Sequence, residues 1–144
     1  MMAMVKLELA RTLPQNEAPM EINGTFQIEQ KDDTVVVTPL INLRELEYEL
    51  IERDGKTVLD RLAAAHAKNV VVDFAKTDYY GSTALGFFVK LWKRSRTHGG
   101  HMAFCNVSPH EREILKLTRL DTLWSICGSR DEAFDAVQKR NGHQ

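Results

Sequence analysis

Two adjacent hydroxyl residues, Ser82 and Thr83, are the side chains of this sequence whose placement best suggests chemistry. They lie between a valine-rich stretch and a segment in which apolar side chains recur at helical spacing. A hydroxyl at the start of a helix faces free backbone N–H groups and the positive end of the helix dipole. An added phosphate would therefore be well accommodated there, which favours a switch over a catalyst.

A simpler interpretation is that Ser82 caps the helix. Its oxygen would then accept a hydrogen bond from the N–H of residue 84 or 85 and stabilise the helix by about 1 kcal/mol. Both interpretations can hold, because a hydroxyl that caps a helix is also one that a kinase could modify. The phosphate would add about −1.5 to −2 charges, so the predicted switch acts on binding and leaves the fold intact.

The element before the pair is predicted to be a buried strand, and the element after it an amphipathic helix. Residues 70–74 are almost continuously apolar, as in a strand that is covered on both faces. The helix is expected to run to about Arg96 and to end at Gly99-Gly100. Its main apolar stripe consists of Leu85, Phe88, Val89 and Trp92.

The N-terminal part of the chain is predicted to form an arm followed by a hairpin. Residues 1–24 show little periodicity, which favours a flexible arm. This arm could hold a strand at residues 4–9 or add a strand to the sheet of the hairpin. Residues 26–29 and 34–38 form the predicted hairpin, with its turn at residues 32–33.

One long helix, or two short ones, is predicted between the hairpin and the valine-rich strand. Asn42 is expected to cap its start, and Asp54-Gly55 could interrupt it. Its first apolar positions are Leu43, Leu46, Leu50 and Ile51.

Strands and helices continue to alternate towards the C-terminus. Residues 101–106 and 123–126 are predicted strands. Ser108-Pro109 is expected to begin one helix, and Ser129 to cap the last one. This alternation predicts an α/β fold in which helices pack on a mixed β-sheet.

These motifs resemble the STAS domain family, the fold of bacterial anti-sigma-factor antagonists and of related domains on anion transporters. In that family a hydrophobic strand ends in Asp, and after a short loop Asp-Ser-Ser/Thr-Gly/Ala-Leu opens a helix. Residues 70–74, Val-Val-Val-Asp-Phe, correspond to the strand, and residues 82–86, Ser-Thr-Ala-Leu-Gly, to the helix opening. The resemblance runs from about Phe26 to Val137 and implies a single STAS-like domain.

The resemblance also implies how the domain would act. In the family, the first hydroxyl of the pair is phosphorylated by a partner serine kinase that also serves as an anti-sigma factor. The implied phospho-acceptor is therefore Ser82, with Thr83 as the fallback. Unmodified, the domain would bind this partner and free the sigma factor, and phosphorylation would end the binding. Such a module needs no catalytic residue and no cofactor.

Two positions depart from the family pattern. Gly81 replaces the Asp that precedes the phosphorylated Ser, and the nearest acid is Asp78. Residues 39–42, Pro-Leu-Ile-Asn, replace a Gly-Glu-Leu-Asp turn. The first departure favours an alternative, an unphosphorylated STAS scaffold or transport-complex subunit. A further alternative is a domain that binds a nucleotide or lipid in a pocket near residues 78–82.

The helix after the pair carries more apolar surface than it needs to pack against the rest of the domain. Phe87 and Leu91 lie away from the centre of its main stripe. Either neighbouring segments cover them, or they form an exposed patch with a basic margin that suits protein docking. The predicted partner-binding residues are Asp78, Tyr79, Tyr80, Gly81, Phe87, Lys90, Leu91 and Arg94.

Length and composition restrict the class of protein further. A chain of 144 residues fits one domain, predicted at residues 25–140 with a tail at residues 141–144. The net charge of −1 argues against a nucleic-acid partner. No apolar run approaches the roughly 20 residues needed to cross a bilayer, and residues 1–20 lack the features of a secretory signal. A cytoplasmic protein without membrane insertion is expected, and its oligomeric state is left open.

The cysteines and histidines do not suggest a metal site or a disulfide. Cys105 lies in a predicted strand and is expected to be a buried, inert thiol. Cys127 has no Cys or His partner at the spacing that zinc sites use. The five histidines are scattered along the chain, so no metal ligand is predicted.

Overall fold

The computed structural model describes the backbone of residues 17–142 and the side chains of residues 22–138. Within this range the chain forms a six-stranded sheet in which spatial order follows chain order. The strands are β1 (Glu17–Ile22), β2 (Phe26–Lys31), β3 (Thr34–Pro39), β4 (Asn69–Asp73), β5 (Met102–Cys105) and β6 (Ser125–Cys127). The helices are α1 (Tyr48–Ala65), α2 (Ser82–Thr97), α3 (Pro109–Leu117) and α4 (Arg130–Gly142), with 3-10 turns at Glu45–Glu47 and Leu120–Thr122. The predicted α/β fold with a mixed sheet is confirmed.

The sheet is antiparallel from β1 to β3 and parallel from β3 to β6. Each parallel connection advances one strand in the same direction, so right-handed crossovers place α1, α2 and α3 on one face. Their side chains pack there against Val70 and Val72 of β4. Helix α4 follows β6 and covers the opposite face, where Val71 contacts Ala133 and Val137. The valine run is therefore buried on both sides, as its composition predicts.

The hairpin of β2 and β3 forms where the sequence predicts it. The two strands pair without interruption from Phe26↔Pro39 to Lys31↔Thr34. The chain reverses at Asp32, which has a positive φ of 55°, a conformation that Asp tolerates better than most residues. Strand β1 pairs with β2, so residues from the predicted arm add a strand to the sheet, the second of the two possibilities above.

Two further predictions concern the two ends of the chain. The strand predicted at residues 4–9 lies outside the described residues. At the C-terminus, α4 continues to Gly142, the second residue of the predicted tail.

The helix predicted after the hairpin differs from its prediction at its start. Asn42 does not cap it, because α1 begins only at Tyr48, after the 3-10 turn. Leu46, one of the apolar positions of the predicted helix, lies in the 3-10 turn before α1 and is 91% exposed. At the position where an interruption was possible, α1 is continuous, and both Asp54 and Gly55 are buried.

Gly55 serves close packing of two helices. The ring of Phe87 lies directly over it, and a Cβ at position 55 would be 2.9 Å from Phe87 Cδ1. Asp54 faces the hairpin, where its carboxylate accepts a hydrogen bond from Thr25 Oγ1. The two residues that resemble a helix break in the sequence are therefore packing residues.

Substituting Gly55 and Gly86 by Ala is expected to change stability in opposite directions. Gly86 is in α2, and a Cβ added at this position would meet no neighbouring heavy atom within 4 Å. Gly86→Ala should therefore raise the free energy of unfolding by about 0.5–1 kcal/mol. Gly55→Ala should lower it by about 1 kcal/mol, because overpacking against Phe87 outweighs the gain in helix propensity. Urea unfolding of the two variants measures this difference. Equal stabilisation by both would contradict the close contact of Phe87 with Gly55.

Candidate functional site

The site is built at the carboxyl end of β4, where a loop leads to α2. Asn42 holds this loop, since its side-chain oxygen accepts hydrogen bonds from Thr77 Oγ1 at 2.6 Å and from the Asp78 N–H at 3.1 Å. Leu43 adds a parallel bridge to Tyr80, in which the Gly81 N–H donates to the Leu43 carbonyl at 2.8 Å. Asn42, in the segment that replaces the Gly-Glu-Leu-Asp turn, and the next residue, Leu43, thus hold the loop before the hydroxyl pair in place.

Ser82 is the first residue of α2 and is exposed, whereas Thr83 is half-buried. The N-cap is Gly81, with extended backbone and no side-chain hydrogen bond. The prediction that Ser82 caps the helix is therefore wrong, because its hydroxyl lies one residue inside the helix and points to another partner.

That partner is Glu45, from the 3-10 turn before α1. Glu45 Oε1 accepts hydrogen bonds from Ser82 Oγ at 2.9 Å and from the Thr83 N–H at 3.2 Å. Glu45 Oε2 accepts from Thr83 Oγ1 at 2.9 Å. A carboxylate from 37 residues earlier thus occupies the place at the helix start that suits an anion.

The charge of Glu45 is favoured by this arrangement. The hydrogen bonds from the Thr83 hydroxyl, the Thr83 N–H and the Ser82 hydroxyl lower the pKa of the Glu45 carboxyl below its usual value. The carboxyl therefore stays ionised at neutral pH, and its charge lies at the positive end of the α2 dipole.

Sequence reasoning missed Glu45 because it placed this segment in a helix. The one available sequence signal for Glu45 is Gly81, since a Cβ atom at this position would overlap Glu45 Oε1. A glycine in place of the family's Asp indicates that another group fills that space.

Three residues of the predicted partner-binding set are buried and do not form an exposed patch. Tyr80 is 4% exposed and packs on Phe74, and Phe87 is 7% exposed and packs on Phe26 and Gly55. Leu91 is fully buried in the core. The prediction of an exposed apolar patch is wrong for these three residues. Phe26 of the hairpin and Gly55 of α1 cover Phe87, and Tyr80, in the loop before α2, packs among aromatic rings of the core.

The other predicted residues differ in accessibility. Asp78, Tyr79 and Lys90 are exposed and Gly81 is half-buried. Arg94 is also half-buried and donates from Nη1 to the Ala67 carbonyl at 2.7 Å, so it supports the loop before β4.

Exposed apolar surface near the pair comes instead from the segment before α1. Leu46 and Tyr79, 91% and 40% exposed, line a hollow of about 430 Å³ beside Glu45. On the other side of the pair, a groove of about 580 Å³ runs between α1 and α2. It is lined by Ser82 and Thr83 at one end and by two lysines, Lys56 and Lys90.

A second group of polar residues lies at the same edge of the sheet but on the α4 face. Asp73 accepts hydrogen bonds from Asn106 Nδ2 at 2.8 Å, from the Ala75 N–H at 2.9 Å and from Arg130 Nε at 3.0 Å. Arg130 also pairs with Glu29. Burial alone would raise the pKa of Asp73, but these hydrogen bonds and the Arg130 charge lower it overall. The group organises the loops of this edge.

The predicted buried thiol is also found at this edge. Cys105 is fully buried, and burial raises its pKa to about 12, so at neutral pH the thiol is protonated and unreactive.

With the site in place, comparison with known proteins identifies the family. The model of the STAS domain family matches residues 25–133, which is more than half of the chain. The chain belongs to the STAS domain family. The resemblance carried by residues 70–74 and 82–86 is thereby confirmed.

Proteins similar to this STAS domain bear related names. A Bordetella bronchiseptica protein provisionally named anti-sigma factor antagonist BtrV is 27% identical over 71 residues, which are 49% of this chain and 61% of BtrV. The chain therefore spans less than two thirds of this relative.

Two solved structures share the fold. A Thermotoga maritima protein provisionally described as an anti-sigma factor antagonist superposes with a TM-score of 0.66 at 23% identity, covering 83% of this chain and 93% of that one. The phosphorylated form of the Bacillus cell fate determinant SpoIIAA superposes with a TM-score of 0.56 at 20% identity, covering 76% and 96%. Among the described residues of this STAS domain, no helix has the length and apolar character required to span a membrane.

Proposed function

We propose that this STAS domain is a regulatory protein-binding module of the anti-sigma-factor antagonist type, switched by phosphorylation of Ser82. The observation that carries the proposal is the exposed Ser82 hydroxyl at the first residue of α2, beside backbone N–H groups that suit an anion. The names of BtrV and of the Thermotoga maritima protein support the role, and the phosphorylated SpoIIAA supports the modification.

The partner is a serine kinase that also acts as an anti-sigma factor. Phosphoryl transfer forms a bond between Ser82 Oγ and the γ-phosphorus of ATP and breaks the bond from that phosphorus to the bridging oxygen. ADP leaves, and a base of the kinase takes the hydroxyl proton. Ser82 is the preferred acceptor because it is exposed, whereas Thr83 is half-buried.

The docking face consists of exposed residues around the pair. It includes Asp78, Tyr79 and Lys90 from the predicted set, and Leu46, which supplies an apolar contact. The unmodified face binds the partner, and the phosphate disrupts this binding by adding charge to the interface. This STAS domain acts by binding and carries out no reaction of its own.

An unphosphorylated STAS scaffold is the second candidate. It is favoured by Gly81 in place of the family's Asp and by Glu45, whose carboxylate already holds both hydroxyls. A small-ligand domain is a third, favoured by the groove between α1 and α2 with its two lysines.

Incubation with a kinase-type anti-sigma factor of the same organism and ATP, followed by mass spectrometry, separates the first two candidates. One phosphate on Ser82 is expected in the wild type. It should persist in Thr83→Ala and in the control Ser129→Ala, and disappear in Ser82→Ala. No label on any of these proteins, or equal labelling of Ser82→Ala, would contradict phosphorylation at Ser82.

A further inference from the structure

The start of α2 is already occupied by an anion from the same chain. The Glu45 carboxylate takes hydrogen bonds from both hydroxyls and from the Thr83 N–H. Two of these donors, the Thr83 hydroxyl and the Thr83 N–H, are the ones that a phosphate group on Ser82 would use at the start of this helix.

We propose that Glu45 is an internal occupant of the phosphate position, which holds the hydroxyl pair in the unmodified protein and is displaced when Ser82 is phosphorylated. The inference rests on the proposed function, because it assigns a mechanism to the modification of the same residue. It makes the switch an exchange of one anion for another.

The chemistry of the modified serine requires this exchange. Phosphorylation converts the Ser82 hydroxyl into an ester oxygen without a proton, so it no longer donates to Glu45. The phosphate carries about −1.5 to −2 charges and has oxygens that accept the Thr83 N–H. Because like charges repel, the carboxylate and the phosphate do not share this helix start.

The glycine at position 81 is consistent with Glu45 as the occupant of the helix start. A Cβ at position 81 would overlap Glu45 Oε1 and lie 3.1 Å from Glu45 Cδ, so any side chain at position 81 would push the Glu45 carboxylate away from the place it holds here. The Asp of the family pattern would exclude Glu45 through both its Cβ and its charge. In this chain the acid next to the pair thus comes from position 45 and not from position 81.

Displacement of Glu45 changes the docking face. Glu45 belongs to a single 3-10 turn, in which the Glu47 N–H donates to the Arg44 carbonyl at 2.9 Å. The next residue, Leu46, is 91% exposed and lines the hollow shared with Tyr79. Loss of the Glu45 contact therefore loosens the turn that presents Leu46, and phosphorylation acts on apolar as well as charged contacts.

The test places phosphoserine at position 82 by genetic code expansion, so that no kinase is needed. Hydrogen exchange of the Glu47 and Tyr48 amides, followed by NMR, reports on the turn. Phosphoserine is expected to accelerate this exchange by about three- to tenfold. Glu45→Ala and Gly81→Ala should give a similar acceleration without any phosphate, since both remove the carboxylate from the helix start.

Non-additivity is the decisive result. Phosphoserine at position 82 in the Glu45→Ala background should add less than about twofold, because the contact is already lost. Phosphoserine at position 129, at the start of α4, is the matched control and should leave the turn unchanged. An unchanged turn with phosphoserine at position 82, or an additive effect in the double variant, would overturn the proposal.

The two proposals fail separately. A kinase that leaves Ser82 unmodified would contradict the proposed function, while the exchange of anions would still be measured with the installed phosphoserine. A kinase that modifies Ser82, together with an unmoved turn, would contradict only the role of Glu45.

Discussion

Phosphoserine at position 82 is expected to weaken binding of the kinase-type partner by about a hundredfold. The added charge of about −1.5 to −2 lies on an exposed face that already holds Glu45 and Asp78. A partner surface that accepts the neutral hydroxyl would have to desolvate this charge or place an opposite one against it. Isothermal titration calorimetry with the unmodified and the modified protein measures the difference.

Matched variants show whether charge at this place is responsible. Ser82→Asp should lose about tenfold, because it adds one charge and lacks the reach of a phosphate. Ser82→Ala should retain binding. Thr97→Asp carries the same charge at the far end of α2 and should bind as the wild type does. If phosphoserine at position 82 bound with unchanged affinity, the docking face would have to lie elsewhere on the domain.

Asp73→Ala is expected to lower the free energy of unfolding by about 2–3 kcal/mol at neutral pH. The Asp73 side chain is 5% exposed, and its loss leaves Asn106, the Ala75 N–H and Arg130 without their acceptor. The cost stays below that of a fully buried pair because the Arg130 side chain is 34% exposed and water screens its charge.

This stabilisation should depend on pH in one direction. The pKa of Asp73 is lower in the folded protein than its ordinary value of 3.8, so ionised Asp73 stabilises the fold fully above that value. The contribution is lost as the pH falls through the folded pKa, and the difference between wild type and Asp73→Ala should shrink in strong acid. Urea unfolding at pH 7 and over a series of acidic pH values tests this, with Asp121→Ala as an exposed control. A difference that persists undiminished in strong acid would show that the charge of Asp73 is not what stabilises the edge.

Local patterns were sufficient to predict most of the fold. The valine run of β4 is buried on both faces, and the hairpin turns at Asp32, because β-branched residues and turn residues act within a few positions of one another. Ser108 accepts a hydrogen bond from the Glu111 N–H and Ser129 accepts one from the Glu132 N–H. Caps of this kind are visible in sequence since both partners are three residues apart.

The predictions that failed depend on residues far apart in the chain. Helical spacing identified Phe87 and Leu91 as apolar, yet their burial depends on α1 and on the hairpin, whose positions no local pattern reports. Asn42 resembles a helix cap because Asn often is one, but its side-chain oxygen accepts hydrogen bonds from Thr77 and Asp78, in the loop before α2.

The amino-acid pattern is enough to predict a hydroxyl pair at the start of an amphipathic helix after a buried strand, within a STAS-like α/β domain. What the pair contacts follows from the folded arrangement of distant segments. Glu45 is 37 residues away from Ser82, and no periodicity connects the two positions. Their contact exists because the bridge of Leu43 to Tyr80 brings the 3-10 turn to the helix start, and because Gly81 leaves the space between them empty.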